Sequence, residues 1–421
     1  MKNKTQQGLF RKTVLPNGLT VLTEKMPHVR SVCIGIWVPT GSRFETKEKN
    51  GISHFLEHMF FKGTEKRSAL DIAMEVDSLG GEMNAFTSRE QTTYYIKVLD
   101  THLRLALDIL TDIFLHSTLD AKELERERQV ILEEIRMQED QPEDLVHDVM
   151  NEMIWPDQAL GFPVAGREEN VIALNREDLV AYVREMYNRE KLVISCAGNI
   201  EHEKFVADIA EYFKDFSSME KARVPVPPRF VPGMKVLTRE LEQVHLCLSL
   251  PGVAQADPDR FAFYILNTLL GANMSSRLFQ EVREKRGLAY SVYSYLSSYR
   301  DGGNLTIYTG ANRDRIREVL EVIRVELDRI ARHPVTAKEL HRAKEYMKGG
   351  LMLSLESSSS VMSRIAKQEI SLEGYQSVDE IVRQVEAVTA DRIREIAAKC
   401  FQKDRIALAA IGPVEEKDLL Q

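Results

Sequence analysis

Three side chains in the stretch GISHFLEHMFFKGT, residues 51–64, have types and spacing that suit metal chemistry. Around them Ile52, Phe55, Leu56, Met59, Phe60 and Phe61 make the broad apolar surface of a core helix. His54, Glu57 and His58 interrupt that surface, and a polar group buried without a partner is costly. On a helix His54 and His58 lie one turn apart, about 40° around the axis. Two imidazoles so placed can bind one metal ion. Glu57 stands beside the pair, about 100° from His58 and about 60° from His54, placed to hold a water rather than the metal.

The order HxxEH, the reverse of HExxH, is the inverzincin motif. A catalytic zinc site takes three protein ligands and keeps a fourth position open. The third ligand must come from elsewhere, and the best candidate region is the carboxylate-rich ELERERQVILEEIRMQED at 123–140. Glu127 and Glu134 are seven residues apart there, nearly two turns, and so share one face. Solvated helices rich in glutamate are commonplace, so the pattern alone leaves the ligand open.

The elements that must position these residues occur twice. DAKELERERQVILEEIRM from Asp120 and TAKELHRAKEYMKGGLML from Thr336 each begin with a capping residue and a glutamate three positions on, opening a long helix. SVCIGIWV and QVHLCLSL are matching strand candidates, followed by the helix candidates GISHFLEHMFFKG and RFAFYILNTLLG. SALDIAMEVDSLGG with MNAFTS and TTYYIKVL then corresponds to SSRLFQEVREKRG with AYSVYSYL and NLTIYTG. The chain is read as α+β, two homologous domains of a sheet packed against helices, at 1–216 and 235–421. The Pro-rich segment 217–234 between them reads as an extended linker.

Aligned on Gly63 and Gly271, His54 falls on Ala262, Glu57 on Ile265 and His58 on Leu266. Aligned on Asp120 and Thr336, Glu127 falls on Ala343 and Glu134 on Gly350. The second copy builds the same elements without these polar groups, which therefore serve chemistry rather than folding.

Bulk properties narrow the field. The 421 residues carry a net charge of −8 with no long basic block, which argues against nucleic acid. There is no apolar N-terminal core of signal-peptide length and no uninterrupted apolar run long enough for a membrane span. Cys33, Cys196, Cys247 and Cys400 lack CxxC spacing and read as reduced thiols of a cytoplasmic-type compartment.

His54, Glu57 and His58, followed about 76 positions later by Glu134 within VILEEI, resemble the signature of the M16 (pitrilysin-type) metallopeptidases. That family includes insulin-degrading enzyme and the mitochondrial processing peptidase, and the chain length matches its half-sized M16B subgroup. GGEMNAFTSREQTTYY at 80–95 is similar to the family's active-site edge strand, and REKRGLAY to its arginine–tyrosine pair, here Arg283 and Tyr290. The resemblance implies the M16/LuxS-like fold and one zinc per chain, held by His54, His58 and Glu134. It further implies Glu57 as the general base for water, Glu127 as a supporting carboxylate and Tyr290 as a donor to the developing oxyanion. A peptide would bind as an added strand on Asn84, Ala85 and Phe86, with Arg283 and Tyr290 also contacting it. The implied assembly is a homodimer enclosing its substrate in a chamber, each active site completed across the dimer.

Two rivals stand beside this zinc endopeptidase. One is an inactive core or assembly subunit of the same fold, in which a damaged zinc motif would be expected; here the motif is intact. The other is a metal hydrolase of non-peptide substrates, against which the edge-strand segment argues, since backbone pairing needs a peptide.

Overall fold

The computed structural model describes residues 9–187, 191–216 and 225–419. The chain forms two compact units: 1–135, 162–225 and 353–377 in one, 136–161, 226–352 and 378–421 in the other.

In the first unit six strands form one sheet: β1 (Phe10–Val14), β2 (Thr20–Lys25), β3 (Ser31–Val38), β4 (Glu82–Thr87), β5 (Thr92–Leu99) and β6 (Val193–Gly198). Their order is β1-β2-β6-β3-β5-β4, with β2 and β6 parallel and the other pairs antiparallel. β4 is thus an edge strand, in register with β5 from Glu82 opposite Lys97 to Thr87 opposite Thr92. The helices between the strands are α1 (Ile52–Phe60), α2 (Ala69–Ser78), α3 (Leu103–His116) and α4 (Ala121–Glu139), the last ending past the unit boundary.

Chain order continues with α5 (Pro142–Ile154), which belongs to the second unit, then α6 (Glu168–Ala173), α7 (Arg176–Met186) and α8 (His202–Tyr212) of the first. The second unit's sheet comprises β7 (Gly233–Thr238), β8 (Val244–Pro251), β9 (Ala289–Ser298), β10 (Gly303–Ala311) and β11 (Ala407–Gly412). Its order, β7-β11-β8-β10-β9, repeats β2-β6-β3-β5-β4 strand for strand, including the single parallel pair. Its helices are α9 (Arg260–Leu270), α10 (Ile316–Arg332) and α11 (Ala337–Ser354), then α13 (Val378–Ala387) and α14 (Ala390–Cys400) after α12 (Ser358–Leu372). The expected helix in SSRLFQEVREKRG is a six-residue π-helical segment, Phe279–Glu284.

Each sheet is covered on both faces, which explains why its central strand is mostly apolar on both. In β3, Val32, Ile34, Ile36 and Val38 join the core shared with α1, α3 and α4. Cys33 and Trp37 point the other way, onto Val361, Met362, Ile365 and Ala366 of α12. In β8, Val244, Leu246, Leu248 and Leu250 face α9 and α10, while Cys247 meets Val146, Met150 and Ile154 of α5. The linear halves keep their own sheets but exchange one covering helix each: α5, from the first half, covers the second sheet, and α12, from the second half, covers the first. Of the expected linker, 217–224 lie outside the described residues, and 225–232 have no regular secondary structure.

Candidate metal centre

α1 has one face for packing and one for chemistry. Ile52, Phe55, Leu56, Met59 and Phe60 are buried in the core, leaving His54, Glu57 and His58 half-buried. α4 is capped by Asp120, whose carboxylate accepts from the backbone N–H groups of Lys122 (2.8 Å) and Glu123 (3.2 Å). It buries Leu124, Glu127, Ile131 and Ile135, which sets Glu127 and Glu134 over α1.

Ligand-type atoms of His54, His58 and Glu134 lie within 4.8 Å of one another, and no other such group of three occurs among the described residues. Glu134 Oε2 is 3.5 Å from His58 Nε2 and 3.7 Å from His54 Nε2. Glu127 is buried and receives His58 Nδ1–H at 3.1 Å, which leaves the lone pair of Nε2 facing Glu134. Lys62 Nζ holds the other oxygen of Glu127 at 2.6 Å. Burial, then the neighbouring His58, pushes the His54 pKa down to about 4, so its imidazole is neutral. Burial pushes Glu57 up and the Glu134 charge adds to it, while Thr87 and His58 oppose. His54 Nδ1 and Glu57 Oε2 are both buried without a hydrogen-bond partner. Two imidazoles, one carboxylate and an unpartnered carboxylate oxygen beside them fit a zinc ion with an open position.

The edge strand meets the sequence reading only in part. Met83 and Ala85 pack against the core that contains α1, and Thr87 Oγ1 lies 3.5 Å from Ser53 O. Strand alternation puts Asn84 and Phe86 on the opposite face. The Phe86 ring stands edge-on to Trp37, with centroids 5.8 Å apart, and Asn84 Oδ1 accepts from the N–H of Ala85 at 2.8 Å. Neither side chain faces α1; what β4 offers on that side is Met83, Ala85, Thr87 and its backbone edge. Arg283 and Tyr290 belong to the second unit. The Arg283 guanidinium sits 4.5 Å from the Tyr290 ring centroid, and Tyr290 is 78 % exposed. Sequence reasoning passed over Lys62 and Thr87. Lys62, four residues after His58 on the way out of α1, was the one with a signal.

The first half matches the model of the insulinase domain, peptidase family M16, over residues 20–168. Residues 173–347, from the end of the first half into the second, match the model of the peptidase M16 inactive domain. The chain belongs to peptidase family M16. An uncharacterized zinc protease of Bacillus subtilis, YmxG, is 46% identical over 405 residues, spanning 96% of this chain and 98% of that one. One of Streptomyces coelicolor is 43% identical over 97% and 91% of the two chains, and one of Rickettsia felis 36% over 96% and 98%. A protease from Helicobacter pylori shares the M16 fold at a TM-score of 0.90, with 22% identity over 96% of this chain and 99% of that one. The M16 inactive-domain match falls on residues 173–347, outside all three of the clustered candidate ligands.

Proposed function

We propose that this M16 protein is a zinc endopeptidase with one zinc per chain, held by His54, His58 and Glu134. The observation that carries the reading is the convergence of those three side chains on one point beside Glu57, whose inner oxygen has no other partner. A zinc ion, when bound, supplies Lewis-acid activation of water and of the scissile carbonyl. Glu57 takes the proton of the attacking water and hands it to the leaving amine. Glu127, backed by Lys62, keeps His58 in the tautomer whose Nε2 can ligate. An extended peptide pairs with the backbone edge of β4 at Asn84, Ala85 and Phe86, which demands little of its side chains and gives broad specificity. In a homodimer with an enclosed chamber, the partner chain brings Arg283 and Tyr290 to the substrate, Tyr290 donating to the carbonyl oxygen as charge develops. Among the described residues no helix is long and apolar enough to cross a membrane. The four cysteines are free thiols, in keeping with a cytoplasmic-type compartment.

The test is a quenched-peptide assay with metal analysis. Wild type should hold one zinc per chain, lose cleavage to a chelator and regain it with zinc. His58→Ala should lose zinc and cleavage together. Stoichiometric zinc without cleavage of any peptide in a diverse library would favour the assembly-subunit reading. Mixing inactive Glu57→Gln and Arg283→Ala dimers under subunit exchange should restore activity, at most about half per mixed dimer by two-fold symmetry. Confirmed exchange without recovery removes the shared site.

A further inference from the structure

The helix that carries the HxxEH motif begins without a capping side chain. Gly51 holds the N-cap of α1 at φ 100° and has nothing to offer the N–H groups of the first turn. A carboxylate from six residues upstream takes their place. Glu45 Oε2 accepts from Gly51 N at 2.8 Å and from Asn50 Nδ2 at 2.9 Å. Its Oε1 accepts from Ser53 N at 2.8 Å. Glu45, Asn50 and Ser53 are all buried. Burial pushes the Glu45 pKa up, and the aligned donors of Gly51, Ser53 and Asn50 at the helix N-terminus oppose it by favouring the carboxylate.

The cluster is also held from both sides. Asn50 Nδ2 reaches Pro163 O at 2.9 Å. A Cβ on Gly51 would lie 2.8 Å from Ala165 O and Gly166 Cα, so the backbone of 163–166 is pressed against the start of α1. Upstream of Glu45, Ser42 N and Arg43 N donate to Ser88 O (3.2 Å) and Arg89 O (2.8 Å) in the turn that leaves β4.

We propose that Glu45 is a positioning residue of the metal centre: its carboxylate fixes the first turn of α1, and with it His54, Glu57 and His58, against the β4–β5 turn and the 163–166 backbone. The proposal rests on the metal-centre reading above. Glu45 acts through the backbone, since Ser53, whose N–H it accepts, immediately precedes His54. The requirement is for a carboxylate. Donors of Gly51, Asn50 and Ser53 converge on both oxygens, so glutamine, nearly identical in shape, would turn its NH2 group towards Ser53 N or towards the Gly51 and Asn50 donors.

The experiment uses the purified full chain and two readouts: the zinc dissociation constant from chelator competition, and the visible spectrum of the cobalt(II)-loaded protein. Glu45→Gln should bind zinc more weakly, on the order of ten-fold, with an altered cobalt spectrum. Asn50→Ala, which removes one of these donors, should show a smaller change in the same direction. Ile209→Ala, a fully buried core change in α8, lowers thermal stability in the same unit and should leave both readouts at wild-type values. Wild-type zinc affinity and spectrum in Glu45→Gln and Asn50→Ala overturn the proposal. So does an equal loss in Ile209→Ala, which would mark a general effect of stability. If Glu45→Gln does not fold, Asn50→Ala decides by the same readouts. A His58→Ala chain that binds zinc as tightly as wild type overturns the metal centre itself, and the two failures are thereby told apart.

Discussion

α1 with α4, and α9 with α11, are two copies of one arrangement with different contents. In the first pair His54, Glu57 and His58 stand half-buried and Glu127 is buried against Lys62 and His58. In the second, Ala262, Ile265 and Leu266 are buried at the matching places, and Ala343 replaces Glu127. Gly350 replaces Glu134 and is exposed. The sheets behind them share five strands in the same order. The layout is therefore stable with a wholly apolar filling, and the first copy carries polar groups that its fold does not need. Such groups reduce stability unless something binds them, and sites of function are where that cost is expected.

The largest effect should come from removing the proposed base while leaving the proposed ligands. Glu57→Gln keeps the shape of the site and should keep its zinc, yet lower peptide turnover by about 10²–10⁴-fold. Near wild-type turnover in that variant would show that another group moves the proton, and would reduce Glu57 to a packing difference between the copies.

The converse change tests the second copy. Ile265→Glu puts the first copy's carboxylate into α9, where the side chain is fully buried. With no ligand set around it, the substitution should destabilise by roughly 3–5 kcal/mol, combining lost apolar burial with an unpaired charge. Denaturant unfolding measures it. A loss under about 1 kcal/mol would mean that the second copy accommodates polar groups as easily as the first, and the contrast would lose its meaning.

Much of this contrast was legible in the sequence, for identifiable reasons. Helical geometry fixes His54, Glu57 and His58 on one side of α1 whatever surrounds it, and the duplicated strand and helix patterns survive as local signals. Glu134 was narrowed to a helix face by spacing and singled out only by family resemblance, because its partners are far away in sequence. The exchange of α5 and α12 was not legible: an apolar helix face announces that it will be covered, not which sheet will cover it. The parity of β4 was readable as alternation, but which side faces α1 depends on Met83 and Ala85 entering the core. Glu45 left no trace, because capping a helix from six residues away depends on a loop path, not on a pattern.

A smaller effect should follow from the carboxylate behind His58. Glu127→Gln retains one acceptor for His58 Nδ1–H but loses the charge that Lys62 holds in place. Zinc affinity should fall by about 10–100-fold, measured by chelator competition. Unchanged affinity would make Glu127 a salt-bridge partner of Lys62 and nothing more.

The smallest effect is the most direct comparison of the copies. Glu57→Leu gives α1 an apolar residue where α9 has Ile265. In the metal-free protein Glu57 Oε2 is buried with no partner, so the native residue carries a desolvation cost that leucine lacks. Leucine is similar in length and should fill the space without strain. The variant should therefore be inactive and yet more stable than wild type, by about 1 kcal/mol in the presence of a chelator. A rise of roughly 2–4 °C in thermal midpoint is expected for a unit of this size. Zinc should narrow or reverse the difference, since it stabilises the protein that binds it in proportion to its affinity. If Glu57→Leu is instead less stable than the metal-free wild type, Glu57 is part of what holds α1 in place. The first copy would then need its polar groups for folding as well as for chemistry.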